Sequence, residues 1–310
     1  MKITEKYFDP ASGEKMWFYG KELQEYKAAL HMHSPVSDGK IPHDETISLY
    51  KKAGYNVLAF TDHRKTNAVS GLDGRGMTLL SGIELHPMGP RNIRWHLLSL
   101  GVPEDFACCE PETAEEAIRE VTAAGGVVFC AHPYWCGFTS AEVATLKGIS
   151  GIEVYNTSTR YIGKDYNMQC WDELLDAGQC LTALAVDDMH RECDLFRGFT
   201  VILAEDRKPE TLIKALKNGH FYASQGPRFH SITFENGILK ADFTPVISAI
   251  AVLRKSVGIC SNADKERIDN PQPETTHFEF DFSGYKDQYI RLQLRDSSGR
   301  MAWSNPVYLP

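Results

Sequence analysis

The sequence predicts an α/β fold in which a largely parallel sheet, built from repeated βα units, is followed by an antiparallel β domain. Two observations carry this. Between residues 28 and 223, short apolar runs alternate with segments of helical periodicity, the signature of βα units. After Pro227 the chain changes to short segments that alternate apolar with polar or small residues and are separated by turn signals. A third observation bears on function: His, Asp and Glu recur where the apolar runs of the first part close.

Taken in order, strands are expected at 28–31, 57–60, 78–83, 95–100, 127–130, 152–155, 181–186 and 199–204. Helices fall between them. Residues 44–53 open on a capping-type Asp44 and stop at Gly54, and residues 113–124 carry Ala114, Ala117, Ile118, Val121 and Ala124 at helical spacing before Gly125. Residues 165–177 and 209–218 follow the same plan, each stopped by a glycine. Beyond Pro227, residues 229–234, 247–253, 277–282 and 289–294 read as strands, with turns at Asn236-Gly237, Asn262-Ala263-Asp264 and Ser297-Ser298-Gly299 and a loop at 269–273. The expected organisation is an N-terminal extension over 1–24, a barrel-sized domain over 25–227 and a small antiparallel β-sandwich over 228–310.

Composition narrows the function classes. A formal net charge of −8 disfavours nonspecific attraction to nucleic acid or anionic membranes, although a local basic pocket can still hold a small phosphorylated ligand. Neither nucleic acid nor a membrane is expected as a partner, and nothing speaks to oligomeric state. Residues 1–20 carry scattered charges and no apolar core, and no run of 18 apolar residues exists, so a cytoplasmic location is expected. Eight cysteines without a CxxC pair read as reduced structural thiols.

The chemistry starts at His31-Met32-His33. Two histidines at i and i+2 of a strand project from one face, so both can reach one ion. Ser37-Asp38-Gly39, Thr61-Asp62-His63, Gly82-Ile83-Glu84, His96, Ala131-His132-Pro133 and Asp187-Asp188-Met189-His190 follow. Singly, each histidine reads as a buried imidazole donating to a carbonyl. Together they read as a metal cluster, because the C-terminal ends of parallel barrel strands converge on one face and clustered His, Asp and Glu suit Zn, Mn and Fe. His86, in a Pro-Met-Gly-Pro turn beyond Glu84, reads as an exposed or supporting residue. The glycine-rich stretch 71–76 does not link a strand to a helix as a dinucleotide fingerprint does, and it reads as a flexible loop near the pocket mouth.

These motifs, in this order, resemble the PHP (polymerase and histidinol phosphatase) domain of metal-dependent phosphoesterases over residues 25 to about 227. The resemblance implies a distorted (β/α)7 TIM-like barrel with a trinuclear centre at the strand ends, holding two to three divalent ions. It implies that His31, His33, Glu84 and Asp188 hold a first metal, with Glu84 bridging to a second held by His96 and His132. Asp38, His63 and His190 would hold a third. Spacing to His190 favours Asp188 over Asp187. Residues 219–227 resemble the GxFYASxGP segment of multidomain members, where Ser224 reads as a structural turn, and residues 300–308 resemble the end of their β domain.

The reaction this implies is attack on phosphorus by a hydroxide between the metals that share Glu84, with Glu84, Asp188 and His132 at the catalytic centre. Arg64, Arg191, Arg160 and Arg197 follow or lie near the motifs and are the candidates to fork onto phosphate oxygens. The expected activity is hydrolysis of a small phosphomonoester, a nucleotide or sugar phosphate. The alternatives are a phosphodiesterase, a metal-dependent esterase or amidohydrolase, and a non-catalytic, metal-stabilised interaction module.

Overall fold

A computed structural model describes residues 2–3, 19–20, 23–261 and 274–309. The first strands are β1 (Lys2–Ile3), β2 (Tyr19–Gly20), β3 (Gln24–Ala29), β4 (Val57–Phe60), β5 (Thr78–Leu85), β6 (Leu97–Leu100) and β7 (Val127–Cys130). They are followed by β8 (Gly151–Asn156), β9 (Thr182–Val186), β10 (Phe199–Ala204) and β11 (Phe221–Ser224). The later strands are β12 (Phe229–Glu235), β13 (Ile238–Val246), β14 (Ser248–Val252), β15 (Gly258–Cys260), β16 (Thr275–Asp281), β17 (Tyr289–Arg295), β18 (Met301–Ser304) and β19 (Val307–Tyr308). Helices are α1 (His43–Lys52), α2 (Ala114–Ala123), α3 (Pro133–Cys136), α4 (Ser140–Val143), α5 (Met168–Asp176) and α6 (Pro209–Lys217). Among the described residues no helix is long and apolar enough to cross a membrane.

The fold is mixed α/β, with a large sheet rich in parallel pairs. Its path runs β10-β3-β4-β5-β6-β7-β8-β9, and the two ends meet, Thr200 Oγ1 of β10 donating to Ala185 O of β9 at 3.1 Å. Alternation sorts the side chains. Val57 and Ala59 of β4 face an interior cluster with Ala28, Leu30, Leu80, Leu98, Phe129, Leu184 and Ile202, whereas Leu58 and Phe60 pack with Ile47 and Tyr50 of α1. The outer α2 caps itself through Thr113, whose side chain accepts from Glu116 N, and stops at Gly125 in the left-handed region (φ 86°).

The sheet is largely parallel, as expected, with β6 antiparallel to β5 and β7 and β10 antiparallel to β3. Two expectations are corrected. The helix at 43–52 is not capped by Asp44. Pro42 holds the N-cap position in extended conformation, and Asp44 and Glu45 lie in the first turn, where carboxylates complement the helix dipole. The glycine-rich stretch 71–76 precedes β5, at the strand's start. With α6 it borders a cavity of about 890 Å³ that includes Thr78, Gly101 and Gly125 but none of the clustered histidines.

The C-terminal strands form two sheets, of which one continues the large sheet. β18 pairs with β11, and β17, β14 and β15 follow outward, while β12, β13 and β16 form a second sheet with β1 and β2. Phe229, Leu239, Ala241 and Phe243 pack with Ala249, Ala251, Leu292 and Leu294 in one apolar cluster. The turn expected at 262–264 and the loop at 269–273 lie outside the described residues.

Candidate metal centre

Just beyond β3 the backbone is tied on both sides, His33 N donating to Met189 O (2.9 Å) and Thr61 N to Met32 O (3.0 Å). His31 and His33 are thereby buried at the site end of the sheet. The next loop hangs on Asp62. Its carboxylate accepts from Ser34 N (2.9 Å), Ser34 Oγ (2.7 Å), Ser37 N (3.0 Å), Ser37 Oγ (2.5 Å) and Asn67 Nδ2 (2.8 Å). Burial raises its pKa, but these donors outweigh burial and hold the carboxyl below its ordinary value. The loop so fixed carries Asp38, whose Oδ1 lies 3.5 Å from both His63 Nε2 and His190 Nε2 and 3.8 Å from His33 Nδ1.

Glu84 sits at the centre, fully buried. Its Oε1 lies 2.8 Å from His96 Nδ1 and 3.4 Å from His132 Nε2; its Oε2 lies 2.6 Å from His63 Nδ1, 3.7 Å from His33 Nε2 and 3.8 Å from His31 Nε2. Despite this crowd, Oε2 makes no hydrogen bond of proper geometry, and neither does the buried His33 Nδ1. Asp188 closes the other side, Oδ1 lying 3.1 Å from His33 Nε2 and 3.3 Å from His31 Nε2. Burial, which raises carboxyl pKa values, is outweighed by the imidazoles around Glu84 and Asp188, and both are held well below the usual range.

Two neighbouring acids divide the work by direction. Asp188 turns into the cluster, at a left-handed φ of 49°. Asp187 turns outward, accepting from the backbone N–H groups of Phe196, Arg197 and Gly198 and from Tyr50 Oη (2.7 Å), which pins the loop after β9. Burial pushes its carboxyl up to about 6 against those donors. His132 also adopts an unusual backbone, φ 28°, at the N-cap of α3. Backbone strain of this kind persists where the surroundings over-determine it, and here it aims a side chain inward.

The residues fit divalent ions. His31 Nε2 and His33 Nε2 face each other at 3.2 Å and both face Asp188 Oδ1, an arrangement of lone pairs that one shared cation satisfies better than protons do. Glu153 fixes which nitrogen of His31 is free. Its Oε1 is 2.6 Å from His31 Nδ1, while Oε2 accepts from His132 N (2.9 Å) and Asn156 Nδ2 (2.8 Å). A carboxylate behind the imidazole sets the tautomer that leaves Nε2 for a metal.

Four donor groups of suitable spacing emerge: His31, His33 and Asp188; His33, Asp38, His63 and His190; His63, Glu84 and His86; and His96, His132 and Cys136. All nine residues expected from the sequence converge here. His33 stands between two groups, its ring centroid 4.2 Å from those of both His63 and His190. His96 does not close a strand. It stands just before β6, and the reversal of that strand brings it beside Glu84. His86 is not exposed: it is 8% accessible, with Nε2 2.9 Å from His63 Nδ1 and 3.5 Å from Glu84 Oε2.

The arginines are unequal. Arg64 is exposed beside a depression of about 300 Å³ lined also by His86 and Arg94. Arg191 is exposed and borders a depression with Lys40 and Cys193. Arg197 is exposed, its Nε donating to Cys193 O. Arg160 is tied to the scaffold, donating to Asp194 Oδ1 (2.9 Å), Thr157 O (2.7 Å) and Cys193 O (2.8 Å). Ser224 is a turn residue, its Oγ donating to Pro227 O at 2.6 Å.

Sequence reasoning missed Glu153, Asn156 and Cys136, and took Asp62 as part of a motif without a role. Glu153 left a signal, a carboxylate inside the apolar run of β8, where an unpaired charge would be costly. Cys136, whose Sγ lies 3.5 Å from His132 Nδ1, left none.

No family model matches the chain, and no curated protein matches it. Among solved structures, a two-domain protein from Bacteroides vulgatus ATCC 8482, predicted to contain a PHP-like metal-dependent phosphoesterase, aligns over 89% of this chain and 92% of its own at 17% identity and a TM-score of 0.54. The chain shares the fold of that protein. An amidohydrolase from Chromobacterium violaceum aligns over 53% of this chain and 87% of its own at 18% identity and a TM-score of 0.44. A protein from Bifidobacterium adolescentis ATCC 15703, provisionally named a metal-dependent phosphoesterase, aligns over 53% and 88% at 16% identity and a TM-score of 0.42.

Proposed function

We propose that the chain is a metal-dependent phosphoesterase of the PHP type, and within that class a phosphomonoesterase acting on a small phosphorylated metabolite. The observation that carries this reading is the convergence of six histidines with Asp38, Glu84 and Asp188 around a buried carboxylate oxygen that no N–H satisfies. Zn, Mn or Fe suits that donor set. Held there, divalent ions neutralise charge on phosphoryl oxygens and acidify water, the two things that hydrolysis of a phosphate ester needs at neutral pH.

The chain's own part is positioning. Glu153 holds the His31 ring and the His132 backbone, Asp62 holds the loop of Asp38, and Asp187 holds the loop behind Asp188. Arg64 and Arg191 are exposed and directly follow His63 and His190, where a guanidinium can fork onto a phosphate; that of Arg191 lies over the Tyr161 ring, 5.8 Å from its centre.

Elemental analysis of the metal-replete chain together with phosphate release from a panel of monoesters, diesters and amides tests the proposal. At least two ions per chain and turnover of monoesters are expected, with Glu84→Gln lowering kcat/KM at least about 100-fold. Turnover confined to diesters or amides would replace the phosphomonoesterase reading. Fewer than two ions per chain, or stabilisation by metal without any turnover, would overturn the enzymatic one.

A further inference from the structure

Among the described residues, the exposed large apolar and aromatic side chains are not scattered. All but Val257 stand in connections at the metal-ligand end of the sheet: Met88 between β5 and β6, Tyr134 and Trp135 in α3, Tyr161 and Ile162 after β8, and Phe196 between β9 and β10. Single exposed apolar residues need no explanation, whereas a set gathered round one polar centre does.

Trp135 is the member that touches the centre. Its ring centroid lies 5.1 Å from that of His132 and 5.5 Å from that of His96, with the planes at 83° and 72°. It follows His132 by three residues on α3, whose first turn is tied back by Trp135 N donating to His132 O at 3.0 Å. The indole is therefore fixed to the same backbone that aims a ligand, yet 43% of its surface remains accessible. Tyr134 beside it is 51% accessible and carries Lys164 Nζ 5.1 Å from its ring centre, so a second π surface and a cation flank the first.

We infer that the site takes phosphate esters whose organic part carries a planar aromatic ring, which lies against the Trp135 indole while the phosphate faces His96 and His132. This rests on the phosphoesterase reading above and narrows its substrate class. A ring stacked offset or edge-on sits about 4.5–7 Å from its partner's centroid, close to the separation between Trp135 and the two ligands. The ring and the ester then fit within a few bonds of each other. A planar aromatic ring offers the indole a complementary π face, which a saturated ring of the same size lacks.

The test compares benzylphosphonate with cyclohexylmethylphosphonate, which match in size and resist hydrolysis, by calorimetric titration of the metal-loaded full chain. The aromatic compound is expected to bind about fivefold more tightly. That ratio should fall to about one in Trp135→Leu, which keeps the bulk and loses the π face, and should persist in Trp135→Phe, on the same stacking argument. A wild-type ratio near one, a ratio that Trp135→Leu leaves unchanged, or no binding of either phosphonate overturns the inference. Turnover of benzyl phosphate is scored separately. Discrimination between the phosphonates with no turnover of the ester keeps the aromatic subsite and removes the phosphoesterase reading alone.

Discussion

Glu153 touches no expected substrate, yet two candidate ligands depend on it. Its carboxylate receives the His31 ring on one oxygen and the His132 backbone on the other, so Glu153→Gln preserves shape while weakening the charge that fixes the His31 tautomer. Metal binding to the stripped chain is expected to weaken by about 10- to 100-fold in titration calorimetry, with the circular dichroism spectrum unchanged. His220 makes a different kind of statement, about stability. Burial, aided by Lys214, lowers its imidazole from 6.5 to about 4. The unfolded chain takes up this proton near pH 6.5 and the folded chain only near pH 4, so stability falls as the pH drops through that window. The loss approaches the order of 3 kcal/mol near pH 4, and urea denaturation of His220→Gln between pH 7 and 4.5 should show a shallower decline.

Leu30, Met32 and Ile41 anchor the two ends of the connection between β3 and α1 in the apolar core, and the stretch between them is tied to the Asp62 carboxylate through Ser34 and Ser37. Asp62→Ala would strand the N–H groups of Ser34 and Ser37 without their acceptor and free Asp38 from its place beside His63 and His190. A loss of about 3 kcal/mol in urea unfolding is expected, together with loss of one bound ion by elemental analysis, because hydrogen bonds to a charged acceptor are each worth about 1.5–3 kcal/mol. Element positions were largely legible, since β4, β7 and β10 and the stop of α2 follow from apolar runs and glycine. Strand direction was not. The run leading to β6 reads the same whether the strand runs up or down, and its reversal, which carries His96 to Glu84, is decided by pairing with β5 and β7.

At the scale of the molecule, the boundary expected near residue 227 is crossed by hydrogen bonds. β11 pairs with β18, Tyr222 opposite Ser304 and Ala223 opposite Trp303, and the indole of Trp303 is fully buried among residues of the first part. Arg291 of β17, almost fully buried, forks onto Asp172 of α5 at 2.7 Å through both Nε and Nη2. A chain ended after Pro227 is therefore expected to aggregate, because β11 is left as an unpaired edge; a monomeric, cooperatively melting fragment in gel filtration and calorimetry would refute this. The sequence by itself determined the alternation of strands and helices, the strand-end motifs and the nine candidate ligands, because periodicity and residue chemistry are local properties of a chain. Only the tertiary structure decided which of those candidates lie side by side, that Glu153 and Asp62 brace them, that His86 lies beside His63 and Glu84, that Arg160 is tied to Asp194, and that Trp135 packs against His96 and His132. Each of those depends on which distant segments the sheet brings within a few ångströms, and pairing of that kind leaves no mark in the spacing of residues along one strand.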